Sequence, residues 1–414
     1  MKNKKKALGI IAIILIALGI FSIKPVKRYI IRKDNFNWLA YGIKQQYEAK
    51  QLNVQEEIKF NIKGMSNIGE QEKLLNEMFN NMSLKLESYY DGDNYRNLTK
   101  VQLKNKNEKL GNLDLVSNKE GIIVQCSDIF NGNVYLDYKE ICRLFNKSND
   151  PNYINVEKYL PLFDISKNPY IKNINKDLFN TLKNTLDNKF QKNQDILIKI
   201  NFNGKEKLVK YNELKVSLNN DDIKNILKEL NKFAKDNPNI KLFLKSKIEE
   251  FFAIAIKNND LSKFGLTEND IKEFRENKNF DKEWEKTFTQ IINQIDKTQT
   301  NDDFKIDISF RLDDDDKIRN ILCIYTFKQP NNLVFNVDQN ININYSIDKQ
   351  VFDSSKYTKD IKLTEINPVN ITESVAKYVK SLGLKLTQLY PKLNNSSDTN
   401  FNNSKYSTNE NYIN

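Results

Sequence analysis

Residues 311–317 read Arg-Leu-Asp-Asp-Asp-Asp-Lys. These adjacent carboxylates are the densest source of oxygen ligands in the chain, and a hard cation such as calcium takes clustered carboxylate and carbonyl oxygens. A second acidic turn, Asp91-Gly92-Asp93-Asn94, offers the same kind of atom. Neither stretch has EF-hand spacing, and neither is completed by a glutamate placed to bind in bidentate fashion. Aspartate also tolerates tight-turn geometry. The expectation is therefore that both are solvated hairpin tips, with Asp313 to Asp316 exposed and keeping two apolar strands soluble. An ion site would require the two turns to meet.

A nucleophile is the other chemistry to weigh. Ser374-Val375-Ala376-Lys377 places a hydroxyl and an ammonium one helical turn apart. This spacing is similar to the Ser-x-x-Lys pair that opens a helix in penicillin-recognising enzymes. Their companion Lys-Thr-Gly is missing, and Ser397-Asp398 lies in a polar tail, so an ordinary helix turn with a solvated lysine is expected. The chain has no histidine. That removes Ser-His-Asp and Cys-His catalysis in their usual forms, and histidine-ligated zinc with them. Phosphate-binding Gly-x-x-x-x-Gly-Lys-Ser/Thr and dinucleotide-binding Gly-x-Gly-x-x-Gly motifs are also absent. Cys126, Cys142 and Cys323 are too widely spaced for a zinc pattern, and nothing selects a disulfide pair among them. No catalytic, cofactor-binding or metal-binding residue is assigned.

The elements that would position such groups begin with an apolar run. Ala7 to Ile23 is uncharged over 17 residues, flanked by lysines and followed by Pro25. It is at the short limit for spanning a bilayer, and flanking lysines can snorkel to the headgroups. No convincing small-residue cleavage site follows, and no cysteine stands where a lipoprotein would carry one. The expectation is an uncleaved signal-anchor at 7–23, with residues 1–6 cytoplasmic and the bulk of the chain outside. Both flanks are basic, so charge alone does not set the orientation; the shortness of the tail does.

Net charge is +11, from 65 basic and 54 acidic residues. Nine of the basic residues, and no acid, lie in 1–33, which leaves 56 against 54 in the remainder. A nucleic-acid footprint needs basic residues clustered on the folded part, so that function is not expected.

After the anchor comes a basic juxtamembrane segment and helix, 24–53. Phe36, Leu39, Ala40, Ile43 and Tyr47 share one helical stripe, with Asp34 or Asn35 as cap. Trp38 and Tyr41 leave open a helix lying on the membrane surface. Residues 54–218 form a β-rich α+β region: alternating strands with short polar turns, a helix near 70–82, and a second helix at 176–192 whose face carries Leu178, Phe179, Leu182, Leu186 and Phe190. Asn203-Gly204 is a hairpin signal. Residues 219–299 read as helical. They start at an Asn219 or Asn220 cap and include the apolar stretch 240–257, expected to be a central buried helix. Residues 300–393 return to strands and end in a helix from Asn370 or Thr372 to Gly383; 394–414, rich in Asn and Ser, are expected to be disordered. Runs of strands followed by runs of helices mean α+β with antiparallel meanders covered by helices.

The strand–helix–strand order of residues 54–138 resembles the LolA/LppX type of bacterial lipoprotein carrier. The resemblance implies a curved antiparallel half-barrel whose helix-covered face takes an acyl chain, and it carries over no site residue. The Lys/Asn-rich composition and N-terminal anchor also resemble the membrane-anchored envelope proteins of low-GC Gram-positive bacteria. The function expected is non-enzymatic: an anchored envelope protein binding a lipid, peptide or protein partner, with a scaffold in an envelope complex, or a hydrolase working without histidine, as alternatives.

Overall fold

A computed structural model describes residues 32–391 apart from 33, 65–68, 138–155, 164–167, 203–204, 277–279, 298–302, 330–332, 354 and 367. The expected anchor at 7–23, the Asn203-Gly204 turn, Cys142 and the 394–414 tail lie outside the described residues. Among those described, no helix is long and apolar enough to cross a membrane.

The fold is α+β around one 12-stranded sheet. The strands are β1 (Gln51–Lys63), β2 (Met82–Asp91), β3 (Arg96–Asn105), β4 (Glu108–Ser117), β5 (Gly121–Gln125), β6 (Asn133–Asp137), β7 (Phe190–Phe202), β8 (Lys205–Asn219), β9 (Asp303–Leu312), β10 (Ile318–Lys328), β11 (Val334–Asn344) and β12 (Ile361–Lys362). Their order across the sheet is β12-β6-β5-β4-β3-β2-β1-β11-β10-β9-β8-β7. All pairings are antiparallel except β12 on β6. The two β-rich stretches are therefore one sheet, joined where β1 pairs with β11 from Asn53–Asn344 to Lys63–Val334.

The helices are α1 (Asn35–Tyr47), α2 (Glu70–Asn80), α3 (Ile171–Leu186), α4 (Asn220–Asp236), α5 (Pro238–Lys257), α6 (Glu268–Arg275), α7 (Phe280–Lys297) and α8 (Pro368–Leu389). Asp34 caps α1 by accepting from the Asn37 amide at 2.8 Å. Asn219 and Asp222 form a reciprocal capping box on α4, which is why β8 passes into a helix without a loop. Ile174, Leu178, Phe233, Ala234, Ile240 and Trp284 form the core of the helical layer.

Several expectations change here. The helix placed at 176–192 begins earlier and ends at Leu186; Phe190 instead opens β7 and packs its ring on Phe36. A short 3₁₀ turn at Asp187–Lys189 makes the switch. The stretch 240–257 is not buried all round. Ile240, Phe252 and Ala255 are buried, whereas Leu242, Leu244 and Ile256 are exposed, because packing against α3 and the 3₁₀ segment Val156–Phe163 covers one side of α5. The last helix runs through Gly383, whose Cα faces open space, so that glycine is not a stop. On α1, Tyr47 is 73 % exposed and Trp38 is buried. Trp38 and Tyr41 pack on the sheet and are not surface anchors.

Candidate functional site

The Asp313–Asp316 turn joins β9 to β10, but it is not a bare tip. Asp316 is fully buried and adopts a left-handed backbone, φ 60°. Its Oδ1 accepts from the Trp38 indole Nε1 at 2.8 Å and from Arg32 Nε at 2.6 Å. Arg32 Nη2 donates to the Asp314 carbonyl at 2.8 Å, and the guanidinium lies 5.5 Å from the Trp38 ring centroid. Asp313 closes the turn: its Oδ1 accepts from the Asp315 and Lys317 amides at 2.9 and 3.0 Å, and its Oδ2 accepts from Arg319 Nε at 2.6 Å. The aspartates hold α1 onto the sheet. Close approach needs Gly42, where a Cβ would meet Ile318 and Leu312 side-chain carbons at 3.0 Å and the Asp316 carbonyl oxygen at 3.2 Å. The expectation of an exposed tip is thus corrected at Asp316. An unpaired indole N–H under a helix is costly, and a buried carboxylate needs a cation beside it.

The Asp91–Asn94 turn lies at the same end of the sheet, after β2. Asp91 is buried and accepts from Asn94 Nδ2 at 2.6 Å. Strands β1 and β11 stand between β2 and β10, so the two turns are about 14 Å apart at the usual strand spacing and do not share an ion. Among the described residues no group of three or more Cys, Asp and Glu side chains could hold a metal. Ser374 and Lys377 sit in the second and third turns of α8, which begins at Pro368, and Lys377 is exposed. Cys126 and Cys323 are free and buried, and burial raises both thiol pKa values.

What sequence reasoning did not single out is the centre of one sheet face. The registers align its residues in rows across strands. One row runs Leu214, Phe310, Ile321, Ile341, Glu56, Leu86, Val101 and Leu113. The next runs Val216, Ile308, Cys323, Gln339, Ile58, Leu84 and Leu103. A third holds Ile306, Tyr325, Val337 and Phe60. At the end under α1, Leu214, Leu312, Ile318 and Ile343 are buried beneath Trp38 and Leu39. Further down, Ile58, Phe60, Leu84, Leu103, Ile306 and Val337 stay half-buried.

This apolar field has a polar centre. Gln339 Nε2 donates to Glu56 Oε1 at 2.6 Å, and the Tyr325 hydroxyl donates to Gln339 Oε1 at 3.1 Å. Burial, then Cys323 and Glu56, push the Tyr325 hydroxyl pKa up, so Tyr325 stays a neutral donor at neutral pH. Alternation along each strand was the available signal for this face. The trio was hidden because Glu56, Tyr325 and Gln339 lie far apart in sequence and meet only through register. A broad apolar surface with few converging polar groups suits an apolar ligand with one polar end.

No protein-family model and no curated protein matches the chain.

Proposed function

We propose that this is a non-enzymatic, single-pass membrane-anchored envelope protein whose extracytoplasmic α+β body binds a lipid acyl chain on the open apolar face of its sheet. The observation that carries the reading is the field of half-buried side chains around Glu56, Gln339 and Tyr325. Leaving that much apolar surface wet costs about 25 cal/mol per Å² relative to covering it, and an acyl chain covers it without needing a matching sequence. The polar trio then meets the ligand's polar end. The anchor at 7–23 and the resemblance of 54–138 to lipoprotein carriers support the same reading, and the absence of histidine from the chain makes hydrolysis the weaker alternative.

Native mass spectrometry of the full chain extracted in mild detergent tests this. A co-purified lipid mass is expected, and it should disappear in Leu84→Lys, which puts a charge in the apolar field. A ligand-free mass that stays unchanged when fatty acid or phospholipid is offered would refute lipid binding. A scaffold role in an envelope complex is the second reading, favoured by Val375 and Val379, exposed one turn apart on α8; crosslinking in intact cells that captures a protein through α8 would favour it.

A further inference from the structure

Strands β7 and β8 outrun the sheet. β9 accompanies β8 as far as Asn212, which faces Leu312. Beyond it the β7–β8 ladder continues alone, from Ile196–Tyr211 to Phe202–Lys205, and β7 is the sheet's edge. Seven paired residues on each strand make a ribbon about 24 Å long at 3.4 Å per residue. A bulge between Asn193 and Ile196, with Asp195 left-handed at φ 59°, marks its base. Two-stranded ribbons are marginal in water unless something packs on them.

One face of this ribbon has a distinct character. Leu197 lies opposite Lys210, and Lys199 opposite Leu208. Leu197 and Leu208 are 62 % and 57 % exposed, and both lysines are exposed beside them, Lys210 in a surface ion pair with Asp195 at 3.0 Å. Residues 195–211 hold four lysines and two acids.

Position adds the partner. The ribbon leaves the sheet past the Asp313–Lys317 turn, the end where Arg32 is docked. Lys192, at the ribbon's base, donates to the Arg32 carbonyl at 3.4 Å and lies 4.6 Å from the Trp38 ring centroid. Eight residues lie between Ile23 and Arg32, and the nine steps along the chain reach at most about 30 Å. The ribbon is nearly as long as that tether.

We propose that the two ribbon strands, Ile196–Phe202 and Lys205–Tyr211, form a membrane-contact arm: it sets Leu197 and Leu208 into the interface of an anionic bilayer while Lys199 and Lys210 meet lipid phosphates. The inference rests on the reading that residues 7–23 lie in the membrane. Lysines near an anionic surface are attracted through its negative potential, and leucines gain by leaving water. The arm would hold the body upright at the bilayer, with the apolar sheet face beside its lipid source.

The test places an indole in the arm of the full chain with Leu197→Trp and adds vesicles of phosphatidylcholine, with or without phosphatidylglycerol, carrying brominated acyl chains. The native Trp38 and Trp284 are buried and supply the baseline. The introduced indole should shift to the blue and lose emission to bromine, more so with phosphatidylglycerol, and Lys199→Glu with Lys210→Glu should abolish the effect while flotation with vesicles persists. Flotation with an unquenched introduced indole would overturn the arm and leave the anchor standing. Failure to float with neutral vesicles would overturn the anchor instead, and quenching by anionic vesicles would then still support the arm. Concentration-dependent burial of the indole in detergent without vesicles would mean that the ribbon pairs with a second copy, which also overturns the proposal.

Discussion

Among single residues Asp316 shows most clearly how chemistry is assigned by surroundings. In the sequence it is one of four identical neighbours; in the fold it is the one turned inward, bonded to Trp38 and Arg32, while Asp313 organises the turn itself. Asp316→Ala should cost about 3 kcal/mol, from an indole N–H left without an acceptor and a left-handed backbone imposed on alanine. Asp316→Asn should cost less than half as much, because asparagine keeps an acceptor and tolerates that backbone. Urea midpoints at constant m-value measure both; parental midpoints in both variants would show that the bond to α1 is idle. That a buried carboxylate lay in this run was not legible, because four like residues give no parity cue and the partner is more than 270 positions away.

Among the elements, α8 carries no buried hydrophobic side chain in its described residues between Pro368 and Leu389. Tyr378 on the helix and Tyr390 just past its end tie it to the sheet: the Tyr378 hydroxyl donates to the Leu110 carbonyl at 3.3 Å, and the Tyr390 hydroxyl donates to the buried Asn105 Oδ1 at 2.7 Å. Asn105 in turn donates to the Met78 carbonyl of α2 at 2.8 Å, so one asparagine joins two helices to the β3–β4 turn. Tyr390→Phe should leave Asn105 Oδ1 unsatisfied at a cost of about 1–2 kcal/mol. Hydrogen exchange should rise in α8 while α1 keeps its protection; an unchanged α8 would mean that the tie carries no stability. Periodicity located α8, α1 and the strands well, and the Asn219 cap of α4 was readable from its polar side chain. The end of α8 was misread at Gly383 because nothing packs there to make a glycine matter.

For the whole molecule, the seam between β1 and β11 is the governing contact. It joins segments nearly 300 residues apart, and closing so long a loop is slow and cooperative. Ile343 lies on that seam opposite Val54 and is buried in the cluster under α1. Ile343→Ala should destabilise by about 2–4 kcal/mol, with hydrogen exchange rising together in β2–β5 and in β8–β10. A rise confined to one side would show that the sheet is two independently stable parts.

The sequence alone determined the alternation of each strand, most helix starts, and the chemistries that a chain without histidine lacks, because these depend on neighbours within a few residues. Tertiary structure alone decided that both β-rich stretches share one sheet, that Asp316 is a buried latch on α1 and not part of an exposed tip, and that Glu56, Gln339 and Tyr325 meet at the centre of an apolar face. Those outcomes depend on strand register and on which side of a sheet a helix lands, and no local pattern encodes either.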